Sequence, residues 1–381
     1  MDSNGDFGLY VHIPFCRKAC VYCDFHFSTQ LERSSDLVGA LRIEWKNRAA
    51  LFQGKTLKTI YFGGGTPSVL EPVLLEPFIE DLYNTGVLNS VEEWTLEANP
   101  DDLDQDRLKA WKQWGVNRLS LGIQSFDDVV LHWMNRAHNA AQSAQALERI
   151  QRAGFEHFSI DLIYGLPHTL PDVWEADLRR ALSWKPEHIS AYALTVEAKT
   201  ALDHAVRKSL TPHPTENRVV RDYERLCDAM AEAGYEHYEV SNFALPGHRA
   251  LHNSAYWENR DYLGLGPSAH ARLGDRRWAN LANNARYIRA IHHAEDCSEE
   301  EVLGSKETYN ERVMTGLRTA KGIDERWLSG LDPSDRIRAQ RAWKTAVDRG
   351  QLIGVEGVSG VYRVPENQWL TTDALCRDLF A

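Results

Sequence analysis

The chain has 381 residues, 43% of them hydrophobic and 25% charged, with a formal net charge of −11. That length suits two or three domains, or one large α/β barrel with an appendage, and the acidic balance argues against a general nucleic-acid binder, which presents a basic surface. No apolar run approaches the roughly eighteen residues of a membrane span, and the first residues lack the basic-then-apolar pattern of a secretory signal.

The chain opens on its most informative stretch. A short apolar run, Leu9-Tyr10-Val11, leads into His12-Ile13-Pro14-Phe15-Cys16-Arg17-Lys18-Ala19-Cys20-Val21-Tyr22-Cys23, which holds three of the six cysteines with the spacing C-x3-C-x2-C. Cysteine thiolates hold iron–sulfur clusters, and a [4Fe–4S] cubane has four irons to ligate. Three local cysteines leave one iron without a protein thiolate, open to the amino and carboxylate groups of a small molecule. The competing readings are a zinc knuckle, which wants four ligands in two pairs, and a disulfide framework, which wants an even count in a secreted chain. Cys227, Cys297 and Cys376 are far apart in sequence. Free thiols without an export signal predict a reducing, cytoplasmic setting.

From residue 9 to about 240, β-rich runs alternate with helical patterns, which indicates βα units and a parallel sheet. Strands are expected at 9–13, 59–62, 93–97, 118–121, 157–163 and 188–193, with a further one at 236–240 closing the series. Helices are expected near 31–52, 71–84, 104–114, 140–153, 172–183 and 216–233. The last is the best formed. Val219, Val220, Tyr223, Leu226, Cys227 and Met230 mark one face, which makes Cys227 a core residue rather than a ligand, and Gly234 sits where a C-terminal cap belongs. Asn139 and Gln142 give the helix near 140 a capping box. Six such units predict an incomplete TIM-like (β/α)6 barrel, open on one side.

In parallel α/β folds the reactive groups gather at the C-terminal ends of the strands, and each further motif follows a strand. Gly63-Gly64-Gly65-Thr66-Pro67 follows the second; its glycines either admit a ligand to the backbone or form a tight βα turn. Glu97 closes the third strand before Ala98-Asn99-Pro100, and Gln124 follows the fourth. Asp161 stands inside the apolar run Ile160-Asp161-Leu162-Ile163-Tyr164-Gly165-Leu166-Pro167, where a carboxylate is costly unless paired or hydrogen-bonded. Arg136 is either a carboxylate-binding guanidinium or a solvated surface arginine.

The cysteine spacing closely resembles the signature of the radical S-adenosylmethionine (SAM) superfamily. The ordered set YVHIPFC, GGGTP, LEANPD, LSLGIQSFD, NR and IDLIYGLP, from about residue 9 to about 320, is similar to the oxygen-independent coproporphyrinogen III oxidase-like family within it. The resemblance implies that Cys16, Cys20 and Cys23 ligate a [4Fe–4S] cluster. It also implies that Tyr10, Tyr22, Gly64, Gly65, Thr66, Glu97, Gln124, Arg136 and Asp161 line a SAM site. SAM presents an ammonium, a carboxylate, a ribose diol, an adenine and a sulfonium, so acids, an arginine and backbone groups all have a task there.

Two features separate branches of that family. The oxidases carry a fourth nearby cysteine, C-x3-C-x2-C-x-C, where this chain has Phe25. Further on, His252-Asn253-Ser254-Ala255-Tyr256-Trp257 resembles the HNxxYW motif of the HemW branch, whose members look like haem chaperones. The resemblance implies that His252, Asn253, Tyr256 and Trp257 meet a haem cargo, since imidazole is a common axial ligand and flat rings stack on a porphyrin. The alternative is that these residues pack the seam between barrel and C-terminal region. The expected function is a haem chaperone that passes haem to acceptor proteins, meeting the membrane surface only through them. The competing enzyme reading is an oxygen-independent coproporphyrinogen III oxidase, which decarboxylates propionates to give protoporphyrinogen IX. A methylthiotransferase would want a second group of clustered cysteines, which is absent.

Leu263-Gly264-Leu265-Gly266-Pro267-Ser268-Ala269-His270 is turn-rich and is expected as a loop over the barrel mouth. Asn283, Asn284 and Tyr287 begin a helix, and residues 305–317 form another. Residues 325–381 read as helices, a short hairpin punctuated by Gly354, Gly357 and Gly360, and a terminal helix, similar to the family's small winged-helix-like region. Residues 301–381 hold twelve basic and twelve acidic side chains, so this region has no basic face for DNA. The expected domain plan is a barrel over 1–240, a connecting region over 241–304 and a C-terminal domain over 305–381.

Overall fold

The computed structural model describes residues 5–155 and 157–381; the first four residues of the expected barrel domain and Glu156 lie outside the described residues. Strand and helix alternate as the patterns require: β1 (Asp6–Ile13), α1 (Ser34–Arg48), β2 (Thr56–Gly64), α2 (Pro72–Asn84), β3 (Glu93–Ala98), α3 (Gln105–Trp114) and β4 (Arg118–Gln124). They continue with α4 (Asp128–Trp133), α5 (Ala140–Arg152), β5 (His157–Tyr164), α6 (Trp174–Ser183) and β6 (His188–Ala193). The six strands lie in sequence order, each parallel to the next. This is the expected (β/α)6 core.

Local chemistry sets the helix ends. Asn139 and Gln142 form the capping box at the start of α5. Past β6 come α7 (Ala201–Arg207) and α8 (Glu216–Glu232). Gly234 follows α8 with φ +81°, and the amides of Gly234 and Tyr235 bond the carbonyls of Ala231 and Met230, closing a Schellman motif.

The parallel strands do not read as unbroken apolar runs, because their two faces meet different surroundings. Leu9, Val11, Ile13, Ile60, Phe62, Leu96, Leu119, Leu121, Ile160, Leu162 and Ile189 are fully buried in the apolar core. The alternate positions carry Tyr10, His12, Tyr61, Glu97, Ser120, Asp161, Ser190 and Tyr192, and these face the barrel interior.

At the edges the architecture departs from expectation. After α8 come β7 (Glu236–Glu239) and β8 (Asn242–Ala244). β7 does not close the parallel series: β8 lies between it and β6 and runs antiparallel to both. The short link makes β7 and β8 an antiparallel hairpin, since a parallel neighbour needs a crossover of a dozen residues or more, and it is β8 that takes the place beside β6. At the other edge, after α9 (Leu251–Trp257), β9 (Asp261–Leu265) pairs parallel to β1. The sheet then continues antiparallel through β10 (His270–Leu273), β11 (Arg276–Asn280) and, beyond α10 (Asn284–His293), β12 (Ser298–Val302). Of the expected mouth loop at 263–270, residues 263–265 and 270 are strand, and 266–269 form the turn between β9 and β10. Its glycines misled because one serves packing: a Cβ on Gly264 would lie 1.9 Å from the His270 carbonyl oxygen.

The C-terminal region comprises α11 (Ser305–Gly316), β13 (Ile323–Asp324), α12 (Pro333–Asp348), β14 (Ile353–Gly354), β15 (Val361–Arg363) and α13 (Thr372–Leu379). Its three short strands form a separate antiparallel sheet. Buried indoles anchor its core: Trp343 donates to the Tyr309 hydroxyl (2.8 Å), which in turn donates to the Leu379 carbonyl (3.1 Å).

α9 plugs the N-terminal end of the barrel. The Glu93 carboxylate, at the start of β3, accepts from the amides of Leu251 (2.9 Å) and His252 (2.8 Å) and so caps the helix. The His252 ring then fills the axis, with Nδ1 bonded to the Thr59 hydroxyl and Nε2 to the Tyr256 hydroxyl, both at 2.8 Å. Burial pushes this imidazole down to about 3, so it stays neutral. His252→Ala opens a cavity and strands two hydroxyls, and is expected to cost about 2–4 kcal/mol. Urea unfolding checks this; a loss below about 1 kcal/mol would sink the plug assignment.

Candidate SAM and cluster site

The cysteine loop leaves β1 at Pro14 and is stitched shut by backbone bonds, Ser28 N to Pro14 O (2.8 Å) and Cys16 N to Ser28 O (3.0 Å). A second anchor comes from the end of α4, where the Asn135 amide donates to the Ala19 carbonyl (2.7 Å). That helix ends in another Schellman motif: Asn135 takes φ +59°, a conformation its short side chain tolerates, and the Arg136 amide bonds the Leu131 carbonyl. The turn aims Arg136 inward.

Cys16, Cys20 and Cys23 converge on one cavity of 610 Å³, together with Tyr22, Gly64, Gly65, Thr66, Glu97, Gln124, Arg136 and Asp161. Eight of the nine residues expected at a SAM site thus line a single chamber beside the three thiols. Tyr10 does not. It lines an adjoining cavity of 650 Å³ and bonds His12 Nδ1 at 3.0 Å. The two chambers share Asp24, Phe25, Tyr61, Gly64, Glu97 and Asn253 in their walls.

Charge in the first chamber is unbalanced in an informative way. Arg136 donates to Cys20 Sγ (3.3 Å), the Gly122 carbonyl (2.6 Å) and Asn99 Oδ1 (2.5 Å), and its Nε is buried without a partner. It forms no ion pair among the described residues, so it is not the solvated surface arginine that the sequence left open. A half-buried guanidinium without a counter-ion is costly, and a ligand carboxylate beside cluster thiolates would supply the missing charge.

The two acids show the reverse. Burial pushes Glu97 up to about 7, against the hydrogen bonds it accepts from the Tyr61 hydroxyl (2.7 Å) and the Gly64 amide (3.1 Å). Burial likewise pushes Asp161 up to about 6, opposed by the hydroxyls of Ser190, Ser120 and Ser159. The serine hydroxyls meet the cost that the sequence flagged for a carboxylate in an apolar run. Both acids gain from a cationic ligand, and SAM carries two positive centres.

The glycine run serves close approach. A Cβ on Gly65 would meet the Phe15 carbonyl oxygen at 2.7 Å, and Gly64 sits at φ +112° against the His12 ring. The tight-turn reading of that motif holds, and the turn also forms part of the chamber wall.

Cys16 accepts from the Thr66 hydroxyl (3.5 Å), and burial pushes the Cys16 and Cys23 thiols up to about 11. Three thiols, sulfur-directed donors and an unpaired guanidinium together fit a cluster carrying one open iron. They fit a zinc knuckle poorly, since that wants four ligands in two pairs.

The HNxxYW residues disperse. His252 is sealed in the plug with both ring nitrogens engaged, which leaves it no free lone pair for iron. Asn253 reaches both chambers, Tyr256 the second alone, and Trp257 a separate groove of 800 Å³ between barrel and C-terminal region. Sequence reasoning missed Tyr61, Asn99, Ser190, Tyr192 and Glu197, which also line the first chamber. The period-2 alternation of the strands held the signal for Tyr61, Ser190 and Tyr192, all at inward positions.

The chain matches the family model of the Radical SAM superfamily over residues 10–180. Its fold is similar to that of the coproporphyrinogen III oxidase (HemN) from Escherichia coli, with a TM-score of 0.83 and 22% identity, covering 100% of this chain and 91% of that one. Fold and cavity together define a radical SAM protein. The sequence is 38% identical over 315 residues to the heme chaperone HemW of Lactococcus lactis, 82% of each chain, and 36% identical over 340 residues to that of Bacillus subtilis, 85% of this chain and 89% of the relative. The chain belongs to the HemW family.

Two outcomes test the site. Anaerobically reconstituted protein is expected to hold about four irons per chain, measured by iron assay and visible absorption. Replacing Cys16, Cys20 and Cys23 together by alanine abolishes that, whereas Cys297→Ala and Cys376→Ala leave it intact. The second outcome concerns Asp161. Its folded-state value lies above the ordinary one, so its contribution to stability is full below about pH 4 and is lost as pH rises through about 6. In the cluster-free, SAM-free protein, Asp161→Asn is therefore expected to be more stable than wild type at pH 8 by about 1–2 kcal/mol, discounted for water in the cavity. The difference vanishes near pH 4 in urea unfolding, and SAM binds the variant more weakly.

Proposed function

We propose that the chain is a haem chaperone, binding haem and delivering it to acceptor haemoproteins, with a [4Fe–4S] cluster on Cys16, Cys20 and Cys23 and SAM in the adjoining chamber. The observation that carries this reading is the similarity to HemW heme chaperones over more than four-fifths of both chains. Phe25, 69% exposed at the rim shared by both chambers, supports it, because the coproporphyrinogen oxidases carry a cysteine at that place.

A bound cluster supplies an open iron for SAM and an electron for its reduction. The chain's own groups do the positioning. Arg136 offers its guanidinium to the SAM carboxylate, Glu97 and Asp161 offer negative charge to the ammonium and sulfonium, and the Gly63–Thr66 turn offers backbone. The second chamber, walled by Tyr10, Tyr61, Tyr256 and Tyr262 with His12, His26 and His270, suits a flat aromatic cargo. Of these histidines, His12 and His26 are hydrogen-bonded and His270 is exposed. Asn253 and Tyr256 bring the HNxxYW motif to this chamber while His252 holds the helix that carries them. No helix among the described residues is long and apolar enough to cross a membrane. The proposal places the protein in the cytoplasm, meeting membranes only through its acceptors.

The purified, reconstituted protein is expected to bind added haem and pass it to a haem-depleted acceptor, followed by the acceptor's Soret absorption. It is expected to form no protoporphyrinogen from coproporphyrinogen III with SAM and reductant. Decarboxylation without haem transfer would make the oxidase reading correct.

A further inference from the structure

Away from both chambers, three metal-ligating side chains meet at the seam between barrel and C-terminal region. Cys227 comes from α8, His237 from β7 and Glu366 from the 3-10 turn Glu366–Thr371. The Cys227 sulfur lies 4.0 Å from His237 Nδ1, and that nitrogen lies 2.7 Å from Glu366 Oε1. All three donor atoms fall within 4.8 Å of one another. The apolar face of α8 accounts for the burial of Tyr223, Leu226 and Met230, but not for a thiol that faces an imidazole and a carboxylate.

The surroundings hold this group ready. Phe243 stacks on the His237 ring at 4.0 Å and Trp369 packs edge-on at 4.2 Å, so the imidazole cannot swing away. The Tyr223 hydroxyl, buried and without a well-formed hydrogen bond, lies against the Cys227 thiol. The His237 side chain is 5% exposed and that of Glu366 53%, so the group is walled on the protein side and open through the carboxylate. An ion has a way in.

We propose that Cys227, His237 and Glu366 bind a zinc ion that ties the barrel to the C-terminal region. Thiolate, imidazole and carboxylate form a donor set suited to zinc. Its bond lengths of roughly 2.0–2.3 Å place tetrahedral ligands roughly 3–4 Å apart, close to the span here. Three protein ligands leave a fourth position for water or the Tyr223 hydroxyl. Binding releases the Cys227 thiol proton to solvent and moves the imidazole proton from Nδ1 to Nε2. Glu366 exchanges its hydrogen bond for a bond to the metal, and nothing is oxidised or reduced. Because the thiol proton must leave, affinity rises with pH.

The test uses the full chain with its cluster reconstituted and zinc as the probe. After equilibration with zinc and removal of the excess, wild-type protein carries about one zinc per chain beside its irons. Cys227→Ser, His237→Asn and Glu366→Gln each bind zinc at least roughly tenfold more weakly, with iron content unchanged. Cobalt in place of zinc gives a thiolate charge-transfer absorption in wild type that Cys227→Ser lacks. The protein with Cys16, Cys20 and Cys23 replaced by alanine keeps its zinc, which separates this site from the cluster loop. Glu366→Gln lies on the exposed rim and keeps the test decisive where a buried change fails to fold. No zinc beyond the irons in wild type, or equal zinc binding by wild type, Cys227→Ser and Glu366→Gln, overturns the proposal.

Discussion

A six-stranded parallel arc has to bury one face on helices while keeping the other wet enough to receive a polar ligand, and most of this structure answers that demand. Leu9, Val11, Phe62, Leu121 and Ile160 face the helices, while Tyr61, Glu97, Ser120, Asp161 and Ser190 face the interior. A full eight-stranded closure would fill such an interior with packed side chains; the arc stays open and holds chambers instead. Openness leaves unpaired strand edges, which invite association. The chain covers them from both ends, with the β7–β8 hairpin beside β6 and the β9–β12 extension beside β1.

Within that interior the polar groups complete one another's hydrogen bonds at the plugged end and keep uncompensated charge at the other. His252, Thr59 and Tyr256 complete one another's hydrogen bonds at the plugged end. At the other end, Arg136 lacks a counter-ion and two acids are held above their ordinary range by burial. Stability is given up at the mouth for binding, the usual relation between function and the folded state.

Much of this was legible in the sequence because it rests on local pattern. The six strands, the α5 capping box and the Gly234 cap are short-range signals, and the structure places them as read. The reading of residues 236–240 as the closing parallel strand failed because β8 folds back and takes the place beside β6, which periodicity does not report. Residues 266–269 form a turn as read, whereas 263–265 are strand because Gly264 serves close backbone approach. The HNxxYW stretch was visible as a motif, but the role of His252 was not. Its helix is capped by Glu93, more than 150 positions earlier, and no local rule exposes such a partner. Cys227 was legible as a member of a helix face, whereas its neighbours His237 and Glu366 come from other elements.

The two chambers are divided by a thin partition, since Tyr61, Gly64, Glu97 and Asn253 present surface to both. A side chain that touches two occupants cannot settle its position for one without altering the other's surroundings. Occupancy of the first chamber therefore enters the free energy of filling the second, and by linkage the effect is equal in both directions. On the proposed reading, a ligand held in the first chamber is therefore also a term in the affinity of the second.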